Sequence, residues 1–217
     1  MGEHWKESLP KSIVEKYELY NFNSAVEILT QSHSEEFFDI IQALERFQIT
    51  TEDIITPGGN ESSVPKKLSA LLRPLGWKEL EISGDLVVQL FEGKKQKEFS
   101  REFVLKEFIS GHKIDYVKGE IAVDLEWNSK DQTFDRDLYA FRTFYECGVI
   151  TCGIIITRSE KLNAVFSALG ENIKKKYGAS TTWMGKLLPR IHARRHGGCP
   201  MLVVGITPET ISDWRDT

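Results

Sequence analysis

The stretch IDYVKGEIAVDLEWN, residues 114–128, carries the strongest structural signal in the chain. Its two apolar runs are separated by Lys118-Gly119, which is typical of a β-hairpin turn. Alternate side chains of a strand point to opposite faces of a sheet. The second run therefore has an apolar face and a polar face, with Val123, Leu125 and Trp127 on the first and Asp124, Glu126 and Asn128 on the second.

The hairpin brings a third carboxylate, Asp115, beside Asp124 and Glu126, and these three are the candidate catalytic residues. Converging carboxylates repel one another, and a bound divalent cation is a common way to offset that repulsion. Ligands that are all oxygen favour Mg²⁺ or Mn²⁺ over zinc. The same alternation also describes a strand with one solvated face, so spacing alone does not decide between a metal site and plain surface charge.

Composition predicts an ordinary globular protein. The 217 residues are 41% hydrophobic and 28% charged, which favours a single domain over residues 1–217. No apolar signal segment opens the sequence, and its longest nearly apolar run, Gly148–Thr157, is about half of what a membrane helix needs. Three cysteines without CxxC spacing predict no zinc site. We expect a cytoplasmic protein with no membrane contact.

Charge is unevenly distributed along the chain, although the net charge is only −4. The segment from Asn172 to Pro208 contains seven basic residues and no acidic one. Such segregation can create a local positive patch suited to phosphates. A solvated helix end followed by a basic loop is the alternative interpretation.

Periodicity elsewhere predicts alternating helices and strands. Helices are expected at Ser34–Phe47 with Ser34 as N-cap, Pro65–Leu75, Lys97–Ile109, Phe134–Glu146 and Glu160–Tyr177. Strands are expected at Leu80–Phe91, Val149–Thr157 and Met201–Ile206, with a loop at Thr56–Ser63. The pattern favours an α/β fold with a mixed central β-sheet flanked by helices on both faces.

The hairpin resembles the active-site hairpin of the BglII, BstYI and BamHI group of type II restriction endonucleases, a branch of the PD-(D/E)XK nuclease superfamily. The likeness is greatest to BstYI and continues in order through Ile13–Tyr17, the stretch from Ser63 to Glu79, and Pro200–Ile206, so it covers nearly the whole chain. It implies a homodimer that hydrolyses double-stranded DNA at a short palindrome with Mg²⁺ and leaves 5′-phosphate ends. It also implies a GATC-core site, a four-base 5′ overhang and a cognate DNA methyltransferase.

The resemblance assigns roles at the hairpin. Asp115 matches the first metal-binding aspartate, and Asp124 matches a second acidic ligand that is usually Glu. The carbonyl of Leu125 would complete the protein's ligands. Glu126 stands where most of the superfamily has Lys, where BglII and BstYI have Gln, and where BamHI has Glu. A carboxylate there can bind a second metal or deprotonate the attacking water, so one-metal and two-metal mechanisms both stay open.

Relatives often add another polar side chain from the preceding helix, for which Glu102 or Glu107 is the candidate. The segment Ala179–Gly198 resembles the family's specificity region by position. Arginine can read guanine, and lysine mainly neutralises phosphate. The candidate DNA contacts are Lys130, Thr181, Thr182, Lys186, Arg190, Arg194 and Arg195.

The predicted helix Phe134–Glu146 carries more aromatic side chains than one face needs against its own sheet, so part of it is expected at a dimer interface. Two other functions remain open. A structure-specific repair or junction-resolving nuclease of the same fold would cut according to DNA shape. A non-catalytic DNA-binding module would bind DNA without metal and leave it uncut.

Overall fold

The structure is a computed structural model that describes residues 3–57, 62–94 and 97–214. Of the predicted loop at Thr56–Ser63, residues 58–61 lie outside the described residues. Within the described ranges, no helix is both long and apolar enough to cross a lipid bilayer.

A mixed sheet forms the centre of the fold. Its strands are β1 (Tyr17–Phe22), β2 (Lys78–Glu92), β3 (Glu98–Lys118), β4 (Ile121–Glu126), β5 (Cys152–Arg158) and β6 (Met201–Ile206). They lie in the order β1-β6-β5-β4-β3-β2. The β4, β5 and β6 strands are parallel, and the outer pairings are antiparallel. Every residue of the three parallel strands is buried, as expected for strands covered on both faces.

Helices cover both faces of the sheet. They are α1 (Lys11–Lys16), α2 (Ala25–Ser32), α3 (Ser34–Arg46), α4 (Thr51–Ile55), α5 (Ser63–Leu72), α6 (Thr133–Glu146), α7 (Leu162–Ala168), α8 (Glu171–Lys176) and α9 (Met184–His192). On one face of the sheet, the helices from α1 through α5 and the helix α7 pack in a first apolar core. On the other face, α6 and α9 pack in a second apolar core. The predicted α/β fold is therefore confirmed.

The central hairpin forms with the predicted alternation. Tyr116 pairs with Val123 and Lys118 with Ile121, and Gly119 has a φ of +53°, which glycine adopts without steric cost. Val123 packs in the first core, whereas its neighbour Ala122 packs in the second. The polar face of β4 consequently points toward α6, and this orientation positions the carboxylates.

The prediction of a helix at Lys97–Ile109 is wrong. From Glu98 onward these residues belong to β3, which pairs with β2 to form a long two-stranded antiparallel ribbon. The spacing of its aromatic and β-branched residues fits a helix face, but across the ribbon Val87 pairs with Val104 and Val88 with Phe103. Cross-strand pairs of this kind stabilise a sheet and here override the local pattern.

Three predicted element boundaries also need correction. The single helix expected at Glu160–Tyr177 is divided into α7 and α8 at Gly170, whose φ of +109° no helix accommodates. Ser34 is the first residue of α3, and His33 is its N-cap. The strand expected from Val149 begins at Cys152. The strands predicted at Leu80–Phe91 and Met201–Ile206 are confirmed.

Candidate active site

The three predicted catalytic carboxylates come together at the β3–β4 pair. The register of Tyr116 with Val123 places Asp115 opposite Asp124, and Glu126 follows two residues along the same face. Asp124 and Glu126 are only 4% and 7% exposed, so a solvated strand face is excluded for both. Asp124 Oδ1 accepts a hydrogen bond of 2.9 Å from the backbone N–H of Leu125.

A fourth carboxylate, Asp137 on α6, joins this group and was not predicted. Its side chain is 1% exposed, and its Oδ1 accepts a hydrogen bond of 2.9 Å from Arg136 Nη2. The same nitrogen lies 3.7 Å from Glu126 Oε1. A signal for Asp137 existed in the sequence, because it falls on the apolar face of its helix, between Phe134 and Phe141. We name Asp115, Asp124, Glu126 and Asp137 the carboxyl cluster.

Burial and mutual repulsion dominate the electrostatics of the cluster. Burial is the main cause that raises the pKa of Asp124 well above its ordinary value, and the charges of Asp137, Asp115 and Glu126 add to it. Burial also raises the pKa of Glu126. The pKa of Asp137 is raised to about 8 by burial and by the charge of Glu126, against the opposing effect of Arg136. Full ionisation of the cluster therefore requires additional positive charge.

A cleft of about 480 Å³ opens at the edge of the cluster. Its lining includes Asp115, Glu126, Arg73 and Glu79. A smaller recess of about 200 Å³ lies against Asp115, Asp124 and Arg136, and Glu79 lines it too. Glu79, near the start of β2, is thus an acidic residue of the site that the sequence did not reveal.

The candidates Glu102 and Glu107 do not belong to this site. The helix on which they were placed does not exist, and both residues lie on the exposed part of the ribbon. Glu102 accepts a hydrogen bond from Gln89, and the backbone N–H of Glu107 donates to Asp85. Neither residue lines the cleft or the recess.

The donor set fits a hard divalent cation. In the described part of the chain, no three His, Cys, Asp or Glu side chains are arranged as a ready-made metal site. Magnesium, however, is usually held by one or two carboxylates together with water and substrate phosphate. The cluster and the carbonyl of Leu125 supply oxygen donors only. The excess of buried carboxyl groups over Arg136 makes a cation electrostatically favourable there.

Comparison with known protein families decides the classification. The family described as restriction endonuclease BglII/BglIII matches residues 17–206, from the first residue of β1 to the last residue of β6. The chain belongs to the BglII/BglIII restriction endonuclease family. It is a type II site-specific deoxyribonuclease, and its substrate is DNA. No individual curated protein matches the chain, so the special likeness to BstYI stays a prediction.

In this endonuclease, the two segments predicted to contact DNA lie side by side after β4. The backbone N–H of Thr182 donates to the carbonyl of Ser129 at 2.9 Å, and that of Asp131 donates to Ser180 at 3.0 Å. Lys130 and Thr181 form an isolated antiparallel bridge. The beginning of the segment Ala179–Gly198 is therefore hydrogen-bonded directly to the loop that follows β4.

Arg158, at the end of β5, fixes this junction from inside the protein. It is 1% exposed and donates hydrogen bonds to the carbonyl of Thr182 at 3.0 Å and to Thr181 Oγ1 at 2.5 Å. Its guanidinium lies 4.9 Å from the ring centroid of Tyr177 and 5.9 Å from that of Trp127. Burial lowers its pKa to about 10. The sequence offered no sign of this role, since Arg158 simply ends an apolar strand.

The basic segment of the endonuclease is partly neutralised by residues that are distant in sequence. Arg190 Nε lies 3.1 Å from Asp135 Oδ1 and its Nη2 lies 3.4 Å from Asp131, and Arg195 pairs with Asp135. Lys186 Nζ is 4.0 Å from Asp131. These pairs fix the basic side chains against the start of α6 without burying them all.

The residues predicted to contact DNA in this endonuclease differ in their exposure to solvent. Lys130, Arg194 and Arg195 are exposed, and Arg194 occupies a turn with a φ of +56° after α9. Thr181, Lys186 and Arg190 are partly buried. Thr182 is fully buried, so the prediction that its side chain contacts DNA is corrected. Its backbone orders the junction instead.

Proposed function

We propose that this endonuclease cuts double-stranded DNA at a short palindromic sequence as a Mg²⁺-dependent homodimer and leaves 5′-phosphate ends. Mn²⁺ would replace Mg²⁺. The observation that carries the proposal is the convergence of Asp115, Asp124 and Glu126 beside an open cleft. When bound, the cation would polarise the scissile phosphate and offset charge on the leaving oxygen.

Different residues of the site would bind the cation, activate the attacking water and attract the DNA backbone. Asp115, Asp124 and the carbonyl of Leu125 would hold the cation. Glu126 would orient and deprotonate the attacking water, because a carboxylate of raised pKa is a stronger base. Arg73 lines the cleft 4.7 Å from the Tyr116 ring centroid, and its positive charge would attract the phosphate backbone.

DNA recognition is proposed for the exposed basic residues near the catalytic strand. Lys130 and Lys186 would contact phosphate, whereas Arg194 and Arg195 would read bases from the turn after α9. Thr181 and Arg190 would support this surface through their contacts with Arg158 and the two aspartates. The family resemblance supports a site with a GATC core, a four-base 5′ overhang, a cognate methyltransferase and action in the cytoplasm.

Dimerisation is proposed through the ribbon of β2 and β3 and the adjoining α6. The ribbon exposes apolar side chains on both faces, including Val87, Phe103 and Phe108, and α6 exposes Tyr139. A two-stranded ribbon is marginally stable alone, and exposed apolar patches of this kind mark interfaces. Residues 78–118 contain eight acidic and eight basic residues, a balance that favours a second protein chain over DNA.

Cleavage of phage DNA followed by sequencing of the ends tests the proposal. We expect discrete fragments with one end sequence in Mg²⁺ and intact DNA in excess EDTA. Efficient cutting in EDTA would refute the metal requirement. Preferential cutting of branched over linear duplex, with no shared end sequence, would instead establish a structure-specific nuclease.

A further inference from the structure

We propose that Asp137 on α6 supplies a third carboxylate ligand to the metal centre, in addition to Asp115 and Asp124 on the strands. This inference rests on the proposed function, since it requires that the centre bind a divalent cation. It would tie the position of α6 to metal binding, because one ligand would come from a helix and the others from the sheet.

The first argument is an unpaired oxygen. Asp137 is 1% exposed, and its Oδ1 is used by Arg136, which donates from Nε at 3.1 Å and from Nη2 at 2.9 Å. Its Oδ2 is buried and accepts a hydrogen bond from no described residue. A buried carboxylate oxygen without a donor is costly, and a cation is a partner that would satisfy it.

The second argument is the identity of the neighbours. Arg136 Nη2 lies 2.9 Å from Asp137 Oδ1 and 3.7 Å from Glu126 Oε1, so both carboxylates lie beside one guanidinium group. Asp124 is on the same face of β4 as Glu126, and this face is turned toward α6, since Ala122 on it packs in the second core with α6 residues. Asp137 Oδ2 therefore lies within the carboxyl cluster that we propose as the metal site. It is a buried oxygen of that cluster and does not belong to a group of solvent-exposed carboxylates.

A purely structural role explains these features less well. The Arg136 side chain is 72% exposed, so it does not need a buried partner to be accommodated. The rest of the buried face of α6 is largely apolar, as at Phe134, Leu138 and Phe141. A carboxylate in this environment destabilises the metal-free protein, and metal binding is the event that would compensate for it.

Mn²⁺ titration of the full-length protein, followed by electron paramagnetic resonance, tests the proposal. Asp137→Asn should weaken Mn²⁺ binding by roughly tenfold or more, while the metal-free protein keeps or increases its melting temperature. Asp135→Asn is the matched control, because Asp135 lies on the same helix but pairs with Arg190 and Arg195. We expect that variant to bind Mn²⁺ like the wild type. Unchanged Mn²⁺ affinity in Asp137→Asn with a lower melting temperature would overturn the proposal.

A second variant distinguishes a ligand from a residue that only positions other ligands. Thiolates favour soft metals, so Asp137→Cys should shift the preference of the site from Mn²⁺ toward Cd²⁺. The titration should also produce a cadmium–thiolate absorption band that the wild type, with its own cysteines, does not show. Absence of both changes in a folded Asp137→Cys protein would overturn the proposal.

The two proposals fail in different ways. Failure of the wild-type protein to bind Mn²⁺ would refute the proposed metal-dependent function and this inference with it. Loss of Mn²⁺ binding in Asp124→Asn but not in Asp137→Asn would leave the metal centre intact and remove Asp137 from it.

Discussion

We expect the stability of the metal-free enzyme to fall as pH rises from about 5 to about 7, with Asp137 as a principal cause. In the folded protein the pKa of Asp137 is raised from 3.8 to about 8 by burial and by the charge of Glu126. Between these values the folded state holds a proton that the unfolded state has released. Stability is therefore lost with rising pH in this window and levels off above the folded pKa.

The expected loss of unfolding free energy follows from the release of one proton by Asp137. Each pH unit in the window costs about 1.4 kcal/mol, so two units cost about 3 kcal/mol. For a chain of this length that corresponds to roughly 6–12 °C in melting temperature. The raised pKa of Asp124 acts in the same direction, whereas the positive charge of Arg136 opposes the raised pKa of Asp137.

The assay compares urea unfolding of wild type and Asp137→Asn at several pH values in EDTA. The slope of unfolding free energy against pH should be less negative in the variant by about 1.4 kcal/mol per unit. Titrating groups outside the carboxyl cluster, such as the buried His196, whose pKa is lowered by burial, cancel in the difference. Parallel pH dependences for the two proteins would refute the reasoning about Asp137.

Three further predictions concern activity, recognition and assembly. Asp115→Ala and Asp124→Asn should lose orders of magnitude in cleavage rate without a lower melting temperature, because each removes charge repulsion from the carboxyl cluster. If either variant cuts DNA at a rate near that of the wild type, the proposed metal site is in the wrong place. Lys186→Ala should weaken binding to all duplexes and make its salt dependence shallower by about one unit, whereas a double Arg194→Ala, Arg195→Ala change should cost roughly 1–3 kcal/mol mainly on the preferred sequence. Equal effects on cognate and random duplexes would contradict the second part. Val87→Lys should shift sedimentation from dimer to monomer, whereas the control Gln31→Lys, at an exposed position of α2 outside the proposed interface, should not. A monomeric wild type would contradict the proposed interface.

The predictable part of the fold was the part in which local pattern and tertiary environment agree. In β4 the strand period, the hairpin turn and burial all indicate the same arrangement, so the faces of Val123 and Asp124 followed from spacing. The strand Met201–Ile206 is apolar throughout and lies in the middle of the sheet, where such runs belong. Where the local sequence pattern, the turn residues and the burial in the fold agree in this way, a prediction from sequence is reliable.

The ribbon shows the opposite case. Phe99, Phe103 and Phe108 are spaced so that helix and strand interpretations both describe them. The deciding contacts pair β3 with β2, and no sequence window within β3 contains them. The error then extended to function, because Glu102 and Glu107 were placed on a helix beside the site, whereas Glu79 lines the cleft.

Asp137 and Arg158 mark a different limit on sequence inference. Each is a charged residue in an apolar pattern, which normally signals either a surface position or a boundary of the element. Both are 1% exposed, and each is linked to the end of β4 or to the loop after it. Asp137 shares Arg136 with Glu126, and Arg158 donates a hydrogen bond to Thr182, which pairs with Ser129. Buried groups with perturbed pKa values cluster at functional sites. A charged residue on the apolar face of a predicted element is therefore a useful candidate for an active-site residue, even when spacing gives no partner for it.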